Sequence, residues 1–249
     1  MDLGLDGKAA IVTGGRSGIG AAIALRLARE GCDVAIVDRL IDEQARQVVQ
    51  DIEAAGRSGL AIEADVSDFA AAGTSVQEIL TAFGRLDIMV CNAGINRDGV
   101  IWKMSEENWD EVIDVNLKGC FNYSRAAAQV FRERRTGKIV IIASVNGLRG
   151  KFGQTNYSAS KGGEIALAKA LARELGRYEV NVNVVAPGMV LTDMTRDLPR
   201  EVHERAIEES VLGRIADPED CADVATFLCS DRARHITGEV IKVDGGQYI

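Results

Sequence analysis

The chain alternates two kinds of segment from end to end, and that alternation restricts its fold more than any other feature. Short apolar runs rich in β-branched residues come first: "AAIVT" (9–13), "DVAIVD" (33–38), "GLAIEA" (59–64), "LDIMVC" (86–91), "KIVIIAS" (138–144), "VNVNVVA" (180–186) and "EVIKV" (239–243). Between them lie helix-like stretches such as "GAAIALRLAREG", "DEQARQVVQDIEAAG" and "PEDCADVATFLCS". Strands that are apolar on both sides need cover on both faces of their sheet. Alternation with helices joins such strands in parallel, through right-handed crossovers. The pattern predicts a doubly wound α/β fold, with a seven-stranded parallel sheet and helices on both faces. The 249 residues suit one domain, 1–249, with no linker. Only the segment at about 189–212 breaks the rhythm. It is long, polar and helix-prone, and it reads as a mobile lid.

Composition narrows the function by exclusion. A formal charge of −8 is the wrong sign for a nucleic-acid binder. No apolar run is long enough to span a bilayer, so no membrane role is expected. The N-terminus "MDLGLDGKAAIVTGG" has no charged leader ahead of an apolar stretch, which makes the cytoplasm the expected location. The five cysteines are scattered, with neither disulfide nor zinc spacing, and two distant histidines complete no metal site.

After the first strand comes Thr13-Gly14-Gly15-Arg16-Ser17-Gly18-Ile19-Gly20, and then a helix. Glycines there allow a tight turn and let backbone approach a pyrophosphate, while the helix N-terminus supplies N–H groups and positive potential. Gly14, Arg16, Ser17, Gly18, Ile19 and Gly20 are therefore candidate dinucleotide contacts. An acid closes the next strand: Asp38, 20 residues beyond Gly18, is placed to accept from ribose hydroxyls. Its carboxylate would repel a 2′-phosphate, which favours NAD(H). Arg16 and Arg39 flank the same region and could pair with that phosphate, so NADP(H) stays open. The bland reading makes Asp38 a turn residue.

A second pattern is Tyr157-Ser158-Ala159-Ser160-Lys161, with a helical pattern following. Four-residue spacing stacks phenol and ammonium on one helix face. Taken alone, such a pair is usually a solvated surface.

Together these motifs resemble the short-chain dehydrogenase/reductase family, over essentially the whole chain. Thr13, Gly14, Gly18 and Gly20 match its glycine turn; Asp65-Val66, its adenine-holding pair; Asn92-Ala93-Gly94, its turn after the fourth strand. Asn116, Ser144, Tyr157 and Lys161 match its catalytic set, with Tyr157 thirteen residues after Ser144. Pro187, Gly188, Val190 and Thr192 match the segment that brackets the nicotinamide. The common "NNAG" is "CNAG" here, with Cys91, and a glycine usual before the sixth strand is replaced near "RYEV".

The resemblance implies a Rossmann fold and a nicotinamide-dependent oxidoreductase that interconverts a ketone and a secondary alcohol. Within the family the likeness is greatest to 3-oxoacyl thioester reductases, which act on carrier-protein or CoA substrates and usually prefer NADPH. Asp38 departs from that preference. A dehydrogenase of another secondary alcohol (cyclic, steroid or polyol) and a catalytically silent partner subunit are the competing readings. The likeness also suggests a homotetramer. Arg134, Arg135 and Arg173 are candidates for docking an acidic carrier or CoA phosphates, and Phe152 is a candidate substrate wall.

The resemblance gives Tyr157 the role of acid–base group, Ser144 that of substrate holder and Asn116 that of a water-chain organiser; Lys161 holds the nicotinamide ribose. Free tyrosine, with a pKa near 10, is a poor base at neutral pH. A cation at about 4–5 Å, in an effective dielectric of about 20, is worth roughly 3–4 kcal/mol, or about two to three pKa units. Lys161 is expected to lower Tyr157 in this way.

Overall fold

Both faces of the central strands are apolar, and the structure buries both. The computed structural model describes residues 2–249. Its strands are β1 (Ala9–Thr13), β2 (Asp33–Asp38), β3 (Gly59–Glu63), β4 (Ile88–Cys91), β5 (Gly137–Ile142), β6 (Val180–Pro187) and β7 (Val240–Val243). They form one sheet in the order β3-β2-β1-β4-β5-β6-β7, parallel throughout. The helices are α1 (Gly18–Arg29), α2 (Glu43–Ala54), α3 (Phe69–Phe83), α4 (Glu106–Val112), α5 (Gly119–Arg134), α6 (Asn146–Arg149), α7 (Thr155–Leu175), α8 (Asp193–Arg196), α9 (Arg200–Glu209) and α10 (Pro218–Cys229).

Period-two alternation sends Ala10, Val12, Val34, Ile36 and Val90 to one face, against Ile23 and Leu27 of α1, Ile52 of α2 and Leu228 of α10. Ile11, Val37, Met89 and Ile139 point the other way, against Ile79 of α3, Phe131 of α5 and Ile165 of α7. Leu27, Ile52, Ile79 and Phe131 are wholly buried, each contributing about 1.5–3 kcal/mol of transfer free energy. The expected doubly wound seven-stranded sheet is the observed one.

Strand order reverses between β1 and β4. The carboxyl ends of these strands therefore open a crevice, the usual ligand position in such sheets. The opposite ends are closed by Asp87. Its Oδ2 accepts from the Ala9 N–H at 2.9 Å, and Arg85 and Arg134 pair with its carboxylate at 2.6 and 3.3 Å. Two of the arginines named as docking candidates take part in the fold while staying exposed. Arg134 also donates to the Leu86 carbonyl, and Arg135 donates to the Arg177 carbonyl, so both are engaged in the fold.

Three local features were not evident from pattern. Residues Ile113–Lys118, between α4 and α5, form a π-helical turn. Glu179, where a glycine is usual, itself adopts the left-handed conformation, with φ 61°. Segment 189–212 contains α8 and α9, and its far end is tied down by Glu209, which accepts from Arg149 at 3.2 Å and Gln247 at 2.9 Å.

Candidate active site

The glycine turn sits at the carboxyl end of β1 with Gly14 and Gly18 at positive φ (63° and 55°). At Gly20 the constraint is space: a Cβ would lie 2.1 Å from the Gly14 carbonyl oxygen. Ser17 precedes α1 in an extended conformation and makes no side-chain cap. The first N–H groups of α1 therefore lack a Ser17 side-chain acceptor and stay available to an anion. A cradle that one methyl group would fill, with uncapped donors, fits the pyrophosphate of a dinucleotide. Ile19, partly buried, packs against the core behind it.

Asn92 fastens the cradle to β4. Its Nδ2 donates to the carbonyls of Thr13 and Gly14, both at 3.0 Å, while Thr13 Oγ1 accepts from the N–H groups of Asn92 (3.0 Å) and Ala93 (3.1 Å). Thr192 closes it from the other side, since a Cβ on Gly18 would lie 3.2 Å from Thr192 Cγ2. Pro187 ends β6, the Gly188 N–H donates to the Val243 carbonyl, and Val190 is buried and bridged to Ala216.

At the far end of the crevice Asp38 closes β2, half-buried, and the exposed Arg39 follows it. Arg16, foreseen as a phosphate partner, is ion-paired with Asp42, the N-cap of α2. Asp65 accepts from the Ser67 hydroxyl and N–H; these bonds hold its carboxyl below the usual carboxylate range, with help from the Arg39 charge. Next to it Val66 is buried, and its carbonyl accepts from Asn122 Nδ2 at 2.9 Å.

The remaining residues converge beside β4 and β5. Asn116, wholly buried on the π turn, accepts from the Ile95 N–H at 2.8 Å and donates to the Ile95 carbonyl and to Ser160 Oγ, each at 3.0 Å. It thus joins the loop after β4 to α7. Gly94 lies between two of the group, for its Cβ position is 3.4 Å from both Asn116 Oδ1 and Lys161 Nζ. Ser144 follows β5, is 6 % exposed, and its Oγ accepts from the Asn146 N–H at 3.1 Å.

Helix α7 carries the phenol and the ammonium. Asn156 anchors its start, donating to the carbonyls of Arg97 (2.9 Å) and Asn108 (3.1 Å). Lys161 Nζ lies 5.8 Å from the Tyr157 ring centre. It is buried and donates to the Ile142 carbonyl at 3.0 Å and to both oxygens of Glu164, at 2.9 and 3.0 Å. This carboxylate changes the electrostatics expected from sequence. Burial pushes the Tyr157 phenol above its ordinary value; Lys161 pulls it down, Glu164 opposes that pull, and the Ser144 hydroxyl adds a smaller lowering effect. The net direction is upward, so the expected lowering is not what the protein alone provides. Burial disfavours the Lys161 charge, but Glu164 overcomes that and keeps the lysine protonated. Burial drives the Glu164 carboxyl itself up to about 7, against the pull of Lys161.

The family described as Enoyl-(Acyl carrier protein) reductase matches residues 14–247. The 3-oxoacyl-[acyl-carrier-protein] reductase of Staphylococcus aureus is 43 % identical over 242 residues, covering 97 % of this chain and 98 % of that one. The Escherichia coli protein of the same description is 39 % identical over 247 residues, covering 99 % and 100 %. A crystal structure described as a putative short-chain alcohol dehydrogenase from Sinorhizobium meliloti superposes with a TM-score of 0.93 at 35 % identity, covering 97 % of this chain and 96 % of that one. This chain is a short-chain dehydrogenase/reductase. As a member of that family it is a nicotinamide-dependent oxidoreductase.

For this dehydrogenase/reductase, all four residues nominated as catalytic end at the same crevice as the glycine cradle. Phe152, the candidate substrate wall, is 84 % exposed. Three polar residues of the site went unnoticed in the sequence. Gln154, buried just before α7, donates through Nε2 to both Asp98 oxygens at 3.1 and 3.0 Å. Glu164 is the third. The signal for it was a carboxylate three residues after Lys161, on the same helical face.

Proposed function

We propose that the enzyme reduces the ketone of a 3-oxoacyl thioester, carried by CoA or an acyl carrier protein, to the 3-hydroxyacyl form. The reading is carried by identity of about two residues in five to 3-oxoacyl-[acyl-carrier-protein] reductases along nearly the entire chain, joined to a site that gathers Ser144, Tyr157, Lys161 and Asn116. A dinucleotide held by the glycine cradle would supply the hydride chemistry at the carbinol carbon. Tyr157 gives its hydroxyl proton to the carbonyl oxygen as the hydride arrives, and the phenolate is reprotonated from solvent; in the oxidative direction it takes that proton back. Ser144 holds the substrate oxygen. Lys161 would hold the nicotinamide ribose by exchanging one of its present acceptors, the Ile142 carbonyl or a Glu164 oxygen. Asn116 braces the loop and helix, and its carbonyl oxygen retains a lone pair for water on the route to solvent.

Residues Gly14, Arg16, Ser17, Gly18, Ile19 and Gly20 form the phosphate end of the dinucleotide site. Asp38, Arg39, Asp65 and Val66 form its adenosine end. Asn92, Ala93, Gly94, Pro187, Gly188, Val190 and Thr192 frame the nicotinamide end. NAD(H) is the preferred cofactor: a carboxylate at Asp38, the end of β2, would repel a 2′-phosphate, and Arg16 is ion-paired with Asp42. Segment 189–212 acts as the lid over a domain spanning 1–249. The working form is a cytoplasmic homotetramer. Among the described residues no helix is long and apolar enough to cross a membrane.

The test is acetoacetyl-CoA with NADH or NADPH, followed at the reduced-nicotinamide absorbance. Turnover that disappears in Tyr157→Phe, with dinucleotide binding kept, is the expected result. No oxidation of either cofactor would remove the thioester reading and favour another secondary alcohol.

A further inference from the structure

Glu164 is 2 % exposed, and Lys161 Nζ is its only hydrogen-bond partner among the described residues. Burying an ion pair costs several kcal/mol of desolvation per ion, and an apolar residue of similar volume often serves stability as well or better. Packing therefore does not explain a carboxylate at this position. Its effect on its neighbours does. An ammonium has three donors. Those of Lys161 face the two Glu164 oxygens and the Ile142 carbonyl. The lysine is thereby fixed in orientation, and its charge is matched by an opposite charge at hydrogen-bond distance. A phenol 5.8 Å away, ring centre to Nζ, faces a dipole in place of a lone cation.

We propose that Glu164 is a positioning residue that fixes the Lys161 ammonium and offsets its field at Tyr157, which biases the phenol toward its protonated form, the form that donates a proton to a ketone. The inference rests on Tyr157 being the acid–base group. The other groups facing the pair do not supply this effect. From the loop after β4, Asp98 is the other anion acting on Tyr157, and Gln154 holds both its oxygens. From α5, the buried Cys120 thiol is pushed well above its ordinary value by Cys91 of β4 and by burial, and so stays neutral. From β5 and the π turn come the Ile142 carbonyl, the Ser144 hydroxyl and the Asn116 amide, all uncharged. Burial of Tyr157 and the Glu164 carboxylate act in the same direction, toward a protonated phenol.

The readout needs no substrate. Tyrosinate absorbance is titrated in the dinucleotide-free enzyme, and the Tyr157→Phe curve is subtracted to isolate Tyr157. In the wild type Tyr157 is expected to ionise above pH 10, the free-tyrosine value. Glu164→Gln, corrected with its own Tyr157→Phe partner, is expected to move that midpoint down by about one to two pH units. Glu164→Asp is expected to restore it. The acid limb of kcat/KM for 3-hydroxybutyryl-CoA oxidation should move in the same way. An unchanged midpoint in folded Glu164→Gln would overturn the inference, and if that variant does not fold, a wild-type midpoint below 10 would overturn it. Failure of the acid–base reading looks different: Tyr157→Phe would then retain turnover, whatever the titrations show.

Discussion

Gly20→Ala tests the cradle with one methyl group. The new Cβ would lie 2.1 Å from the Gly14 carbonyl oxygen, 2.5 Å from Asn92 Nδ2 and 2.8 Å from the Gly14 carbonyl carbon. Ordinary contact begins at 3.4 Å, so turn and helix must separate by about 1.3 Å. Two of these atoms are backbone, and the third, Asn92 Nδ2, is held by its bonds to the Thr13 and Gly14 carbonyls. Overpacking of this kind costs about 1–3 kcal/mol. Asn92 would also loosen its bonds to Thr13 and Gly14, each worth about 1 kcal/mol. The sum, about 2–4 kcal/mol, lowers Tm by roughly 5–12 °C in a chain of this size. Dinucleotide binding should suffer more than stability, because the displaced N–H donors meet an anion. Losing one or two charge-assisted hydrogen bonds of about 1.5–3 kcal/mol each weakens Kd at least about tenfold. The assay is calorimetric titration with reduced dinucleotide, alongside a thermal melt. Gly84→Ala is the control: its φ is 73°, but nothing lies within 4 Å of the new Cβ, so it strains the backbone away from the cradle. Binding by Gly20→Ala as tight as by Gly84→Ala would refute the reasoning.

Asp38→Ala removes the charge that repels a 2′-phosphate, and the kcat/KM ratio of NADP(H) to NAD(H) is expected to rise by about tenfold or more; an unchanged ratio would mean that Asp38 does not face the ribose. Glu179→Gly relieves a left-handed non-glycine residue at φ 61°. The strain of about 1–2 kcal/mol exceeds the entropy cost of glycine, about 0.5–1 kcal/mol, so a thermal melt should show a rise of about 2 °C. Stability should also respond to pH through Glu164. Its folded value, about 7, lies above the unfolded carboxylate value, so its contribution is complete below about pH 4.5 and is lost as pH rises to about 7. Urea unfolding at pH 5 and pH 8 should therefore show a decline of at most about 3 kcal/mol, absent in Glu164→Gln. Asp65, Asp220 and Glu209 are held low by their partners and titrate below that window.

The sequence by itself determined the sheet. Strand-length runs apolar on both sides, alternating with helices, admit few arrangements, and the seven strands and their covering helices follow. Local spacing also placed the cradle and stacked Tyr157 with Lys161, because a turn and a helical repeat are geometry within a few residues. Tertiary structure alone decided the electrostatics. Arg16 is committed to Asp42 across two helix starts, Arg134 to Asp87 beneath the sheet, and Lys161 to Glu164 under β5. Glu164 is three residues from Lys161 in sequence, and in an exposed helix the pair would be worth a few tenths of a kcal/mol. Burial against β5 and α5 makes it control the charge beside Tyr157, and burial depends on what the rest of the chain packs around it. The π turn that aims Asn116 has the same origin, since contacts from distant segments set it.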